Sequence, residues 1–247
     1  MSLVTEFTCC PIVELRQYTL HPGKRDVLID LFDREFVESQ EALGMKIIGQ
    51  FRDESDPNRF VWLRGFRDMP SRAQALTDFY GGPVWKAHRQ VANTTMIDSD
   101  NVLLLHPATP GSGFSLAQRQ RSGVGATEAR KDLIVATIYY FDVPVDARFV
   151  EFFERTLKPI FSDSGVSVLA YFVTEHSENT FPALPVRAGE NVFIWFARFP
   201  DSAAYERHVA ELDKSSRWRD EISKELARRL KRAPEILKLS PTSRSSL

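Results

Sequence analysis

The chain has 247 residues, 43% of them hydrophobic and 26% charged, with 32 Lys+Arg against 33 Asp+Glu and a net charge of -1. That balance suits a soluble globular protein of one large or two ordinary domains, and it excludes any global attraction for polyphosphate or anionic lipid. No apolar run approaches the roughly 20 residues of a spanning helix. The first basic residue is Arg16, so no basic leader is expected and the expected location is the cytoplasm. Cys9 and Cys10, the only cysteines, are adjacent. A trans peptide sets their Cα atoms about 3.8 Å apart, closer than bridged cysteines usually lie. They are therefore expected neither to staple the fold nor to form a metal site.

In chain order, 12–20 alternates as a strand and Pro22-Gly23 ends it. Leu28, Leu31, Phe32 and Phe36 then recur at spacings of 3 and 4 on one face of a helix that Gly44 can terminate. Residues 45–52 and 59–66 predict two strands joined by a polar hairpin turn, followed by helices over 71–80 and 83–95 and a strand over 101–105. The order β-α-β-β-α-β is that of the ferredoxin-like unit. After a Gly/Ser-containing linker over 108–131 the same order returns: strand 133–141, helix 146–162, strands 166–174 and 191–199, helices 201–213 and 216–230, strand 235–239.

Residues repeat as well as order. Phe60, Trp62, Phe66, Asp68 and Trp85 recur as Phe193, Trp195, Phe199, Asp201 and Trp218 (193-60 = 133), and Tyr18 and Gly44 recur as Tyr139 and Gly165 (139-18 = 121). The difference, 133-121 = 12 residues, falls in the connection 175–190. Its segment Phe181 to Gly189 carries apolar anchors suited to packing across a neighbouring surface.

Glu14-Leu-Arg-Gln-Tyr18, Gly82-Pro-Val-Trp-Lys-Ala-His-Arg89, Asp98 to Leu105, Leu184-Pro-Val-Arg187 and Asn191 to Arg198 resemble NIPSNAP-family sequence. The resemblance implies two tandem repeats, 11–107 and 132–241, forming a pseudo-dimeric α/β barrel of the dimeric α/β-barrel superfamily. In that superfamily two ferredoxin-like sheets pack face to face with helices outside. It implies little about chemistry.

No phosphate loop, nucleophile elbow, zinc spacing or basic nucleic-acid signature is present. Chemistry must therefore come from a pocket. Trp85, His88, Arg89 and Ala92 share a helix face, and His88 has the residue type of a general base or a haem ligand. Between the halves Arg16 becomes Thr137, Arg64 becomes Ala197, His88 becomes Glu221 and Arg89 becomes Ile222, while the tryptophans and Tyr18 persist. These asymmetries direct the expected site to the first half: His88 as the catalytic residue, with Arg16, Tyr18, Trp62, Arg64, Trp85 and Arg89 around a small aromatic or anionic ligand between sheet and helix. No cofactor or metal is expected, with haem through His88 as the alternative. A cofactor-independent oxidation or isomerisation would suit such a site, and a non-catalytic oligomeric scaffold is the third reading. No nucleic-acid partner or membrane span is expected, and homo-oligomerisation through open strand edges stays open.

Overall fold

The computed structural model describes residues 9–116, 121–128 and 130–247. Eight antiparallel strands form one closed barrel: β1 Ile12–Leu20, β2 Lys46–Asp53, β3 Arg59–Phe66, β4 Met96–Pro107, β5 Leu133–Phe141, β6 Ser167–Thr174, β7 Asn191–Phe199 and β8 Glu235–Pro241. Their order around the wall is β1-β3-β2-β8-β5-β7-β6-β4. Helices lie outside: α1 over 25–41, α2 Met69–Gly81, α3 Pro83–Thr95, α4 over 147–163, α5 Ser202–Lys214 and α6 over 218–229. Among the described residues no helix is long and apolar enough to cross a membrane.

The period of two along each strand divides the side chains between two cores. Val13, Leu15, Leu63, Ile134, Ile138, Ile194 and Phe196 fill the barrel interior, joined by Phe114 and Leu247 from outside the strands. The alternate positions face the helices, forming one aromatic-rich layer in each half. Each large apolar side chain fully buried this way contributes about 1.5–3 kcal/mol.

The halves correspond in fine detail. Ile12 pairs with Phe66 as Leu133 pairs with Phe199. A bulge between Ile47 and Gly49 in β2 recurs between Val168 and Ala170 in β6. Asp68 and Asp201, both extended, cap α2 and α5 by accepting from Ser71 N at 2.6 Å and Ala204 N at 2.7 Å. Gly44 and Gly165 stop α1 and α4 at φ of 86° and 83°, where any other residue would be strained. Each of these two helices also contains a π-helical turn at the matching place, Phe32–Phe36 and Phe153–Leu157.

Three expectations are corrected. The expected barrel closes within one chain, but it leaves no open strand edges for oligomerisation: β2 pairs with β8 through Phe51↔Pro241 and Asp53↔Leu239, and β4 pairs with β6 through Leu105↔Thr174 and Pro107↔Phe172, so the edges meet. β4 begins at Met96, five residues before the expected start, because its outer end is exposed and tolerates the polar Asp98-Ser-Asp100. Cys9 and Cys10 are joined by a disulfide, which encloses no intervening chain and so constrains no loop. The stretch 108–131 has neither helix nor strand among its described residues, 117–120 and 129 lying outside them.

Candidate functional site

On the helix-facing side of β1, Glu14 and Arg16 stand opposite Arg64 and Trp62 of β3, and Tyr18 stands opposite Phe60. Glu14 collects three guanidiniums: Arg16 Nη1 at 2.8 Å and Arg64 Nε at 2.7 Å on Oε2, and Arg72 Nε of α2 at 2.7 Å on Oε1. All four side chains are at most 1% exposed. Burial alone would push the Glu14 carboxyl up, but Arg64, Arg16 and Arg72 overcome it and hold it well below the usual carboxylate range. Arg16 Nε donates to the Tyr18 hydroxyl at 3.0 Å, and Arg64 Nη1 donates to Gln40 Oε1 at 3.1 Å. The Arg16 and Arg64 guanidiniums lie 5.6 and 5.0 Å from the Trp62 ring. Four of the expected site residues, Arg16, Tyr18, Trp62 and Arg64, are thus brought together, along with Glu14 and Arg72, which the sequence reading did not single out.

The 175–190 connection of the second half lies across this cluster. Arg72 Nη1 donates to Asn179 Oδ1 at 3.0 Å and Thr180 Oγ1 at 3.2 Å, Phe181 stacks on Tyr80 at 5.8 Å, and Arg187 N donates to Val102 O at 2.9 Å. The other expected residues sit further out. Trp85 is half-buried against Phe36, Phe79 and Tyr80. His88 Nε2 lies 3.4 Å from Glu35 Oε2, with its ring edge-on to Phe36 and its side chain 31% exposed. Arg89 is exposed. Phe36 and Phe32 stand in ring contact between His88 and Trp62.

The second half treats the same layer differently. At the positions of Glu14, Arg16, Arg64 and Arg72 it carries Val135, Thr137, Ala197 and Tyr205 (135-14 = 121, 197-64 = 133). A cavity of about 260 Å³ lies there, between β5, β7 and β8 on one side and α4, α5 and α6 on the other. Its walls include Thr137, Tyr139, Trp195, Phe161, Trp218 and His208. Phe161 and Trp195 are stacked at 4.5 Å with only 10° between their planes. Burial pushes the Tyr139 phenol up and the His208 imidazole down, so both are neutral near pH 7. The His208 ring is 5.6 Å from Phe199 and 6.0 Å from Phe161, and its Nδ1 is 2.9 Å from Ser164 Oγ.

Residues 13–110 match the NIPSNAP family model. The chain carries a NIPSNAP domain. Among solved structures, a NIPSNAP-like domain protein from Burkholderia xenovorans is 27% identical over 40% of this chain and 85% of its own, with a TM-score of 0.37. Two others span both halves: a candidate monooxygenase from Fusobacterium nucleatum, 12% identical over 96% of this chain and 94% of its own with a TM-score of 0.57, and an anthrone oxidase-like protein, 14% identical over 96% and 94% with a TM-score of 0.53. At these identities the likeness is one of fold, and it extends along the whole barrel. No curated protein matches the chain.

The NIPSNAP domain therefore holds the arginine cluster, while the cavity belongs to the half that follows it. A larger cleft of about 620 Å³ borders α1 of the NIPSNAP domain, the end of β8 and residues 124–128 and 130. Three of its arginines are committed to ion pairs: Arg244 to Glu38, Arg130 to Asp132 at 2.6 Å, Arg52 to Asp26 at 2.7 Å. It also holds Asp33, whose carboxyl burial pushes up to about 6. The cavity was not foreseen, although its signal was in the sequence: the replacement of Arg16 and Arg64 by Thr137 and Ala197 removes volume as well as charge.

Proposed function

We propose that the protein binds a small, flat, largely apolar molecule between the sheet and the helices of its second half. The cavity of about 260 Å³ carries this reading. It is concave and aromatic-walled with a few polar groups, the usual composition of a small-molecule site. The ferredoxin-like reading of both halves accounts for it, since the matched registers, bulges and caps make the first half an internal reference in which larger side chains occupy the equivalent space. An isomerisation of an aromatic or quinone-like substrate, or its cofactor-independent oxidation with dioxygen as the electron acceptor, is consistent with walls of stacked rings and two neutral groups able to exchange protons, His208 and Tyr139. The names of the two full-length neighbours point the same way. The test is titration of the full chain with 1,4-naphthoquinone, followed by NMR. Shifts clustered at Thr137, Trp195, His208 and Trp218 support the reading, and saturable binding that leaves these residues unmoved removes it.

A second reading puts a small anion on the arginine cluster. Its support is charge: three buried guanidiniums face one carboxylate, and Arg64 Nη2 and Arg72 Nη2 have no hydrogen-bond partner among the described residues. Sulfate should then raise Tm saturably, and an effect no larger than that of chloride at equal ionic strength rejects it.

A further inference from the structure

His208 is costly where it stands. It is 7% exposed on α5, between Phe161 and Phe199, with its imidazole pushed towards neutrality by burial. The architecture does not require it: the matching position of α2 is Ala75 (208-133 = 75), and the position matching Ser164 is Leu43 (164-121 = 43). Both members of the pair therefore belong to the half with the cavity.

The pair has a defined polarity. Ser164 has one hydroxyl proton, and its Oγ lies 2.8 Å from the Phe161 carbonyl and 3.2 Å from that of Ile160, at the end of α4. Those carbonyls can only accept; with the single proton donated to the nearer one, that of Phe161, the Ser164 oxygen is left to accept from His208 Nδ1–H at 2.9 Å. In a neutral ring this leaves Nε2 without a proton. The Nδ1 edge is turned to Ser164, and the Nε2 edge is the one left for an occupant of the cavity that His208 lines.

We propose that His208 Nε2 is a hydrogen-bond acceptor for the occupant of the cavity, held in that tautomer by Ser164, and that the ligand is a planar aromatic molecule bearing an O–H or N–H donor. This rests on the cavity being the binding site and adds the ligand's chemical class. An apolar ring alone fills the aromatic walls but leaves the Nε2 lone pair unmet, and a buried unmet acceptor has a cost. A hydroxylated ring satisfies both. The acceptor role also orients the ring, placing its hydroxyl at the α5 wall while the remainder lies against Trp195 and Phe161.

The experiment is equilibrium dialysis of the full chain at pH 8 with 2-naphthol and 2-methoxynaphthalene, which share a ring system and differ in the donor. The wild type should bind 2-naphthol about tenfold more tightly, the worth of one hydrogen bond of roughly 1.4 kcal/mol. His208→Phe should abolish the preference by weakening 2-naphthol alone, and Ser164→Ala, which keeps the imidazole but releases its tautomer, should reduce it. Proton–nitrogen spectra of the free wild type should show His208 with Nδ1 protonated and Nε2 bare. Equal affinity of the two probes for the wild type, or a preference that survives in His208→Phe, overturns the acceptor role while leaving the cavity as a binding site. Failure of both probes to bind overturns the cavity reading and this inference with it. A His208 protonated on Nε2 overturns the tautomer assignment even if Ser164→Ala proves too unstable to use.

Discussion

Arg16 and Thr137 occupy the same position on the first strand of their halves (137-16 = 121), each directly opposite a tryptophan of the third strand, Trp62 and Trp195. The guanidinium is buried to 1% exposure between Glu14 and Tyr18, whereas the threonine forms part of a cavity wall. Replacing Thr137 by Leu puts apolar volume into that space. Overpacking usually costs about 1–3 kcal/mol, but here a void receives the added carbons. Thr137→Leu is therefore expected to keep or raise Tm while abolishing 2-naphthol binding in dialysis. Unchanged affinity would mean that the cavity is not where the molecule binds.

Among the described residues Glu14 is the sole carboxylate paired with the three buried arginines, and removing its charge leaves them facing one another. Glu14→Gln should destabilise by about 3–5 kcal/mol in urea unfolding, the usual cost of leaving buried charge uncompensated. The pH dependence has a definite sign. The folded carboxyl titrates below the unfolded one, so its stabilisation is complete above about pH 4.3, the unfolded value, and is lost as pH falls towards the folded value. Between pH 7 and pH 3 the wild type should lose more stability than Glu14→Gln does; parallel losses would show that the cluster does not hold the carboxyl ionised.

Asp33 runs the other way. Burial raises its carboxyl to about 6 against the opposing pull of Arg244, Arg121 and Arg52, while Gln50 Nε2 donates to its Oδ1 at 2.9 Å. The folded state keeps a proton that the unfolded state has already released, so stability falls as pH rises from about 4 through 6. Asp33→Asn retains the acceptor without the charge. It should raise Tm at pH 8 and lose most of that advantage at pH 5. A lower Tm at pH 8 would instead assign the charge a stabilising role.

Trp195 is 6% exposed and stacked on Phe161. Trp195→Ala should cost about 3–5 kcal/mol in chemical denaturation. Since one side of the indole already borders a void, the loss should not exceed that of Trp62→Ala, whose ring is 1% exposed and enclosed by Phe32, Tyr18 and two guanidiniums. The reverse order would mean that the void closes up in solution.

Most of the architecture was legible in the sequence, because it rests on local signals and on repetition. The β5 and β7 strands fall where alternation placed them, Gly44 and Gly165 stop their helices, and Asp68 and Asp201 cap theirs. The barrel itself followed from the repeat and the family resemblance, but its seams were less legible, since pairing β2 with β8 joins residues such as Asp53 and Leu239 that no local pattern relates. The π turns at Phe32–Phe36 and Phe153–Leu157 left no mark either, because an extra residue in one turn barely disturbs a spacing of 3 and 4. At the site, comparison of the halves found the asymmetry in Arg16 and Arg64 and placed the expected ligand with the charge, whereas the cavity of about 260 Å³ lies in the half where that charge is absent. Glu14 and Arg72, which fill the first half, become visible only when residues distant in sequence meet, and the 175–190 strap was legible as a segment that packs on a neighbouring surface but not in the surface it covers.

The seams β2–β8 and β4–β6 are both formed inside one polypeptide. In a symmetric pair of identical subunits every substitution is made twice, so a change that opened space in one sheet-helix layer would open it in the other and double the loss of packing. A fused pair escapes that constraint. One half can become a rigid buttress, with its arginines locked around Glu14 beneath a strap donated by its neighbour, while the other hollows out beside Thr137 and Trp195. The stability of such a barrel is also indifferent to dilution, because its two halves can never drift apart.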